Sequence, residues 1–238
     1  MTQTILIADD EVTVCEVIQR YLERDGFQVL VAHDGNTALD LIDTHQPDLL
    51  ILDVMLPHVD GFAILQMLRD PRNSNHSAHL RQLPVIMLTA RTEEQDRITG
   101  FELGTDDYVV KPFSPREVVM RVKALIRRSN APTPKSEKPI QIDNIRIDIA
   151  SRTVTRDQET ISLTAKEFDL LLFLATHPQQ VFTRAQLLDQ VWGYQYVGDD
   201  STVTVHIHRL REKLEDDPNK PRYLLTVWGV GYKLDWVG

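Results

Sequence analysis

Short apolar runs recur through the first half of the chain, and amphipathic stretches fill the gaps between them. The runs are Thr4–Ala8, Phe27–Val31, Leu49–Leu52, Val85–Leu88 and Tyr108–Val110. Brief, continuous apolar segments bounded by polar turns are the pattern of strands buried on both faces. Between the first two runs, Val12–Arg24 sets Val14, Val17, Ile18, Tyr21 and Leu22 at helical spacing. Five strands alternating with helices predict βαβ units and an α/β domain with a parallel sheet. The second half has a different rhythm. Short alternating strands around Ile140–Ile161 precede three helical patterns that begin near Ala165, Arg184 and Thr202. A strand pair, Tyr223–Val227 and Tyr232–Leu234, closes the chain around a Gly229/Gly231 turn. That order predicts an α+β domain with a terminal hairpin. Between the halves, Ser129–Pro139 (SNAPTPKSEKP) carries three prolines and no apolar side chain larger than alanine, so it reads as an exposed linker. The expected organisation is a first domain over 1–128, a linker over 129–139 and a second domain over 140–238.

Composition changes this picture in one respect. The 238 residues are 42% hydrophobic and 26% charged, ordinary for a folded protein. No apolar run approaches the length that spans a bilayer. The start, MTQTILIADDE, lacks the basic segment of a signal peptide, and the single cysteine, Cys15, excludes an internal disulfide or a cysteine-based zinc cluster. A cytoplasmic, non-membrane protein is therefore expected. The net charge of −9 argues at face value against nucleic acid. It is uneven, however: residues 1–128 hold 13 basic and 20 acidic side chains, and residues 139–238 hold 11 and 14.

In an open parallel sheet, ligands sit beyond the carboxyl ends of the strands. Asp9, Asp10 and Glu11 follow the first run, Asp53 the third, Thr89 the fourth and Lys111 the fifth. Carboxylates at close range repel, and a divalent cation with a preference for hard oxygen ligands relieves them; Mg²⁺, or Mn²⁺, fits. With an ammonium and a hydroxyl added, the set forms a clamp for a phosphoryl group. A central carboxylate, Asp53, is the candidate nucleophile for an acyl phosphate. Taken singly, an Asp at a strand end is more often a helix cap than a ligand; the joint pattern is what points to chemistry. A hydrolase with an aspartyl-phosphate intermediate would normally need a second acid two residues after the nucleophile, where this chain has Met55. Cys15 has no positive neighbour in sequence to lower its pKa and reads as packed and inert.

The segments ILIADDE, DLLILDVMLPHVDGF, VIMLTAR and DDYVVKPFSPRE resemble the receiver domain of a two-component response regulator. That resemblance implies a doubly wound five-stranded parallel sheet of order 2-1-3-4-5. It implies Asp53 as phosphoacceptor, and Asp10, Asp53 and the Met55 backbone carbonyl as metal ligands with Asp9 acting through water. Thr89 and Lys111 would contact the phosphoryl group, Thr89 and Tyr108 would act as the switch, and a sensor histidine kinase would be the donor. It further implies a homodimer through cross-subunit pairs Arg97–Glu117, Asp107–Arg121, Glu102–Lys123 and Asp106–Arg128. The competing reading of Glu117 and Arg121 is an i,i+4 pair on one helix. One departure is the polar stretch between Arg69 and Pro84, some six residues longer than the family pattern; His76 and His79 within it read as solvated loop residues rather than a metal site.

In the second half, Ser201–Leu214 shows apolar Val203, Val205, Ile207, Leu210 and Leu214 against His206, Arg209, Arg211 and Lys213. Alone, such a helix is usually a solvated face. Together, LTAKEFDLLLFLATHPQQVFTRAQLLDQVWG, STVTVHIHRLREKLEDDP and RYLLTVWGVGYKL closely resemble the winged-helix effector domain of the OmpR/PhoB family. The resemblance implies a reading helix in the DNA major groove and a wing at the adjacent minor groove. Thr202, His206, Arg209, Arg211 and Thr226 would touch bases or backbone, Thr183 and Arg184 phosphate, and Tyr232 backbone. Ser201, His208 and Trp228 occupy positions where family members often carry arginine, so fewer phosphate contacts are expected. The loop Val191–Asp200 matches the region that in relatives can contact RNA polymerase. The expected whole is a non-enzymatic, phosphorylation-dependent transcriptional regulator that binds direct-repeat double-stranded DNA as a dimer.

Overall fold

The computed structural model describes residues 2–70, 78–89, 103–129, 138–193 and 201–236, with backbone alone at 78, 79 and 127–129. The chain forms two compact units, Met1–Asn130 and Ala131–Gly238.

In the first unit five strands, β1 (Thr4–Ala8), β2 (Gln28–Ala32), β3 (Leu49–Asp53), β4 (Val85–Thr89) and β5 (Asp107–Val110), make one all-parallel sheet of order β2-β1-β3-β4-β5. Among the described residues the helices are α1 (Val12–Arg24), α2 (Gly35–His45), α3 (Gly61–Arg69), a short α4 (Ala78–Arg81) and α5 (Pro115–Ser129). Side chains alternate across a strand. One face of the sheet therefore packs Ile5, Ile7, Ile51, Ile86 and Leu88 with Ile18 and Leu22 of α1 and Val118 and Val122 of α5. Their neighbours Leu6, Leu50, Leu52 and Met87 are equally buried on the other face. Both faces being covered is why the strands read as unbroken apolar runs rather than as alternation. Asp34 and Asp60 cap α2 and α3, their carboxylates accepting from the Thr37 and Ala63 amides at 3.0 and 2.8 Å. Gly61 lets α3 begin directly behind β3, since a Cβ there would lie 2.2 Å from the Asp53 carbonyl oxygen.

In the second unit β6 (Ile140–Ile142), β7 (Ile145–Asp148), β8 (Thr153–Arg156) and β9 (Glu159–Ile161) form an antiparallel sheet in sequence order. Helices α6 (Ala165–Ala175), α7 (Arg184–Trp192) and α8 (Ser201–Leu214) follow. The hairpin of β11 (Leu224–Val227) and β12 (Gly231–Leu234) is joined by a two-residue strand, β10 (Phe182–Thr183), in the order β10-β12-β11. The core draws on every layer: Ile147 and Val154 from the sheet, Leu170 and Leu174 from α6, Leu187 from α7, Ile207 and Leu210 from α8, and Leu224 and Leu234 from the hairpin. No described helix is long and apolar enough to cross a membrane. Most of the expected linker, residues 130–137, lies outside the described residues.

Candidate functional site

The parallel sheet brings the polar residues at its strand ends together. Asp9, Asp10 and Asp53 each place one carboxylate oxygen within 4.8 Å of the others. Asp9 and Asp53 are buried while Asp10 is exposed, so the cluster opens to solvent on one side. The Lys111 ammonium reaches over from the end of β5, 2.8 Å from Asp9, 2.9 Å from Glu11 and 3.5 Å from Asp53. Thr89 is buried at the end of β4, where its carbonyl accepts from the Lys111 amide at 2.6 Å. Burial, and then the Asp9 charge, push the Asp53 carboxyl up to about 6, against the opposing pull of Lys111. Burial raises Asp9 as well. Burial alone would lower Lys111, but its hydrogen bonds to Asp9 and Glu11 and the charges of Asp53 and Asp9 raise it, fixing it as a cation. One ammonium facing four carboxylates leaves the pocket short of positive charge, and its oxygen donors suit a hard divalent cation. Beneath it, the Cys15 thiol and the His33 ring both donate to the Asp9 carbonyl, at 3.3 and 3.0 Å. Burial, followed by the Asp9 charge, pushes that thiol up to about 12, which agrees with an inert cysteine.

The second unit presents a different surface. On α8 the exposed positions are Thr204, His208 and Glu212, flanked by the half-buried Ser201, Val205 and Arg211. Beside them Tyr232 donates to the Thr204 hydroxyl at 3.2 Å, and Arg184, from the first turn of α7, lies 5.0 Å from the Tyr232 ring. Thr183 caps α7 in a reciprocal box with Gln186, at 3.1 and 2.9 Å. Arg211 reaches across to the hairpin, donating to the Leu224 carbonyl at 2.9 and 2.6 Å and to Thr226 at 2.8 Å. One turn on, Glu215 accepts from the Arg222, Tyr223 and Leu224 amides at 2.8, 2.9 and 2.8 Å. Helix and hairpin are thus clamped by side chains as well as by core packing.

Residues 5–123 match the response regulator receiver domain, and residues 157–234 match the C-terminal domain of transcriptional regulatory proteins. The transcriptional regulatory protein SrrA of Staphylococcus aureus is 43% identical over 99% of this chain and 96% of its own. The chain belongs to the OmpR/PhoB family of response regulators. Among solved structures it is similar to the response regulator DrrB, an OmpR/PhoB homologue of Thermotoga maritima, at 33% identity and a TM-score of 0.51 over 99% of this chain and all of that one. A mutant of RitR matches at 27% identity and a TM-score of 0.75 with the same coverage. This regulator therefore joins a receiver domain to the C-terminal DNA-binding domain of a transcriptional regulator.

Several residues stand elsewhere than the sequence suggested. Thr202 and His206 are fully buried on the inner side of α8, not on its reading face. The His206 Nδ1 donates to the Thr202 carbonyl at 2.8 Å and the ring stands edge-on to Trp192. Arg209 is also inward, 3.1 Å from the fully buried Glu167, which Lys213 approaches to 2.6 Å. Expected at the DNA, these three side chains are buried against the rest of the protein in this structure. For Arg209 the cause is Glu167: a carboxylate buried inside α6 must be compensated, and Arg209 turns inward to do so. Val205, assigned to the apolar stripe, is only half-buried on the outer side. The outward face of α8 is instead Thr204 and His208, with Val205; the sequence signal for this turn of the helix was Glu167, an acid set among the apolar residues of LTAKEFDLLLFL.

The expected dimer face changes similarly. Asp106 is fully buried, bonded to the Val85 amide at 2.9 Å and to Arg69 at 3.3 Å. Asp107 holds Arg121 bidentately within one chain, at 2.9 and 3.0 Å, because β5 and α5 adjoin. Glu117 pairs with Arg121 at 2.7 Å, the i,i+4 alternative, and Lys123 pairs with Asp25 at 3.0 Å. Tyr108 is buried, so an inward movement would begin from a side chain already largely removed from water. Arg97, Glu102, His76 and residues 194–200 of the expected polymerase loop lie outside the described residues, as do the Arg128 and His79 side chains.

Proposed function

We propose that this regulator accepts a phosphoryl group on Asp53 from the phosphohistidine of a sensor kinase, and that this state pairs two receivers and seats two winged helices on a direct-repeat DNA site. The observation that supports it best is the convergence of Asp53 with Asp9, Asp10 and Lys111 at the carboxyl edge of the sheet. A carboxylate oxygen of Asp53 would form the P–O bond as the donor's P–N bond breaks, the electron pair returning to the imidazole nitrogen. Lys111 offers an ammonium, and Thr89 a hydroxyl, to the phosphoryl oxygens. Asp10, Asp53 and the Met55 carbonyl would hold Mg²⁺ or Mn²⁺, with Asp9 acting through water. When bound, the ion supplies positive charge where the four carboxylates leave a deficit.

For pairing, Asp107, Glu117, Arg121 and Lys123 already engage partners within the chain, and a second receiver would exchange them for equivalent groups. For DNA, Thr204, Val205 and His208 would face the major groove. Thr183, Arg184 and Tyr232 would bind phosphate beside the α7 N-terminus, and Arg211 with Thr226 would hold the wing in place. A cytoplasmic location and a polymerase contact through residues 191–200 complete the reading. Acetyl phosphate labelling tests its first step. The wild-type chain should incorporate phosphate in Mg²⁺ and Asp53→Asn should not; equal labelling of the variant would remove Asp53 as acceptor.

A further inference from the structure

The wing ends in a side chain that nothing in the fold uses. Trp228 is 90% exposed, more than any other large hydrophobic among the described residues, and Val230 beside it is 46% exposed. Both lie in a tight turn in which the Val230 amide donates to the Val227 carbonyl at 3.0 Å. Gly229 sits at φ 74, the positive dihedral that a type II turn requires at its third position. The turn therefore presents the indole on a defined support rather than on a loose tip. No charged side chain occurs from Val227 to Val230.

The support is rigid with respect to α8. Arg211 on that helix holds the Leu224 carbonyl and the Thr226 hydroxyl of β11, and Glu215, just past the helix end, holds the amides of Arg222, Tyr223 and Leu224 at the entry to β11, all at 2.6 to 2.9 Å. A ligand lying along the exposed face of α8 would thus meet Trp228 at a fixed offset. On the DNA-binding reading above, that ligand is a duplex, and the offset places the indole at the groove next to the one α8 enters.

We infer that Trp228 is an apolar minor-groove wedge that replaces an ionic wing contact. An indole offers a large flat apolar surface and a single N–H donor. The minor groove offers apolar sugar walls and base acceptors at its floor, and apolar side chains enter it by partly unstacking a base step. Such a contact releases no counterion. It favours flexible pyrimidine–purine steps, whereas a cation favours the narrow groove of A-tracts. Two cations of this surface, Arg184 and Arg211, lie instead around the Tyr232 ring, 5.0 and 5.9 Å from it, on the strands behind the turn. The wing would thereby read deformability with its tip, while the cations around Tyr232 hold position behind it.

The test uses the full chain and a duplex of roughly 30 base pairs, long enough for two half-sites one helical turn apart, that the wild type selects from a random pool. Binding is followed by fluorescence anisotropy over a salt series. Trp228→Ala should weaken binding about ten-fold or more with an unchanged salt slope, and Trp228→Phe should keep part of the affinity. Trp228→Arg should steepen the slope by about one and shift selection toward A-tracts. Because the side chain is exposed, all three variants should melt as the wild type does. Wild-type affinity in Trp228→Ala would overturn the inference. Unchanged DNA affinity with lost transcription in vitro would also overturn it, assigning the ring to polymerase. A wild type that selects no duplex would overturn the DNA reading, and the wedge with it.

Discussion

His206 shows how a polar residue can serve the interior. Its ring is fully buried between α8 and Trp192, and burial lowers its pKa from 6.5 to about 4. The folded state thus resists a proton that the unfolded chain accepts. Between pH 6.5 and about 4 the unfolded chain binds more protons, so the stability of the second unit is complete above 6.5 and declines as pH falls through that window. The loss should total roughly 3 kcal/mol, read as a falling urea midpoint at pH 7, 6 and 5. His206→Phe should flatten that decline; an unchanged pH profile in the variant would place the titration elsewhere.

At the scale of elements, the tie between α6 and α8 fixes which way α8 faces. Glu167 accepts from the Thr164 amide at 2.8 Å, closing the cap of α6, while Arg209 and Lys213 engage it from α8. Burial alone would raise its pKa; Arg209 and then Lys213 instead hold it at about 2. Arg209→Ala should therefore destabilise the second unit by roughly 3 kcal/mol, since a buried charge loses a partner. The double change Glu167→Gln with Arg209→Leu should recover most of that. A variant with an unaltered urea midpoint and lost DNA binding would return Arg209 to the DNA surface. The same tie explains what the sequence could not disclose. The periodicity of Val203, Ile207, Leu210 and Leu214 located the core stripe of α8 correctly. Apolar character alone could not say that Thr202, His206 and Arg209 widen the stripe on one side, because what they meet there, Glu167 for Arg209 and Trp192 for His206, lies on other helices. The two-residue β10 was too short to leave a pattern, whereas the five receiver strands, buried on both faces, were legible nearly to the residue.

For the whole molecule, the charge of −9 is an average over two tasks. Most of the excess belongs to the receiver, where acids build the pocket, and the DNA-binding half is closer to balance. A reader with a slight net negative charge gains more from pairing than from added contacts, because a second linked reader raises effective concentration. In Mg²⁺ and beryllofluoride the chain should sediment as a dimer and bind a two-half-site duplex more tightly than a single half-site. Asp53→Asn should remain monomeric; dimers that form regardless of Asp53 would detach assembly from the pocket. The pocket residues themselves were legible because each immediately follows an apolar run. The pairing partners were not, because an acid and a base on adjacent elements satisfy each other as readily within a chain as between chains.

Arg69, at the end of α3, donates to the carbonyls of Gly104, Arg81 and Leu83 at 3.0, 2.9 and 2.7 Å. It thereby staples together the chain where it leaves α3, where it enters β4 and where it approaches β5. The extra length between Arg69 and Pro84 is consequently anchored at both ends, and loop entropy grows only with the logarithm of length. The staple lies at the amino edge of the sheet, the full length of a strand from Asp53. Added length there can change the outline of the receiver without reaching the chemistry at the opposite edge of the sheet.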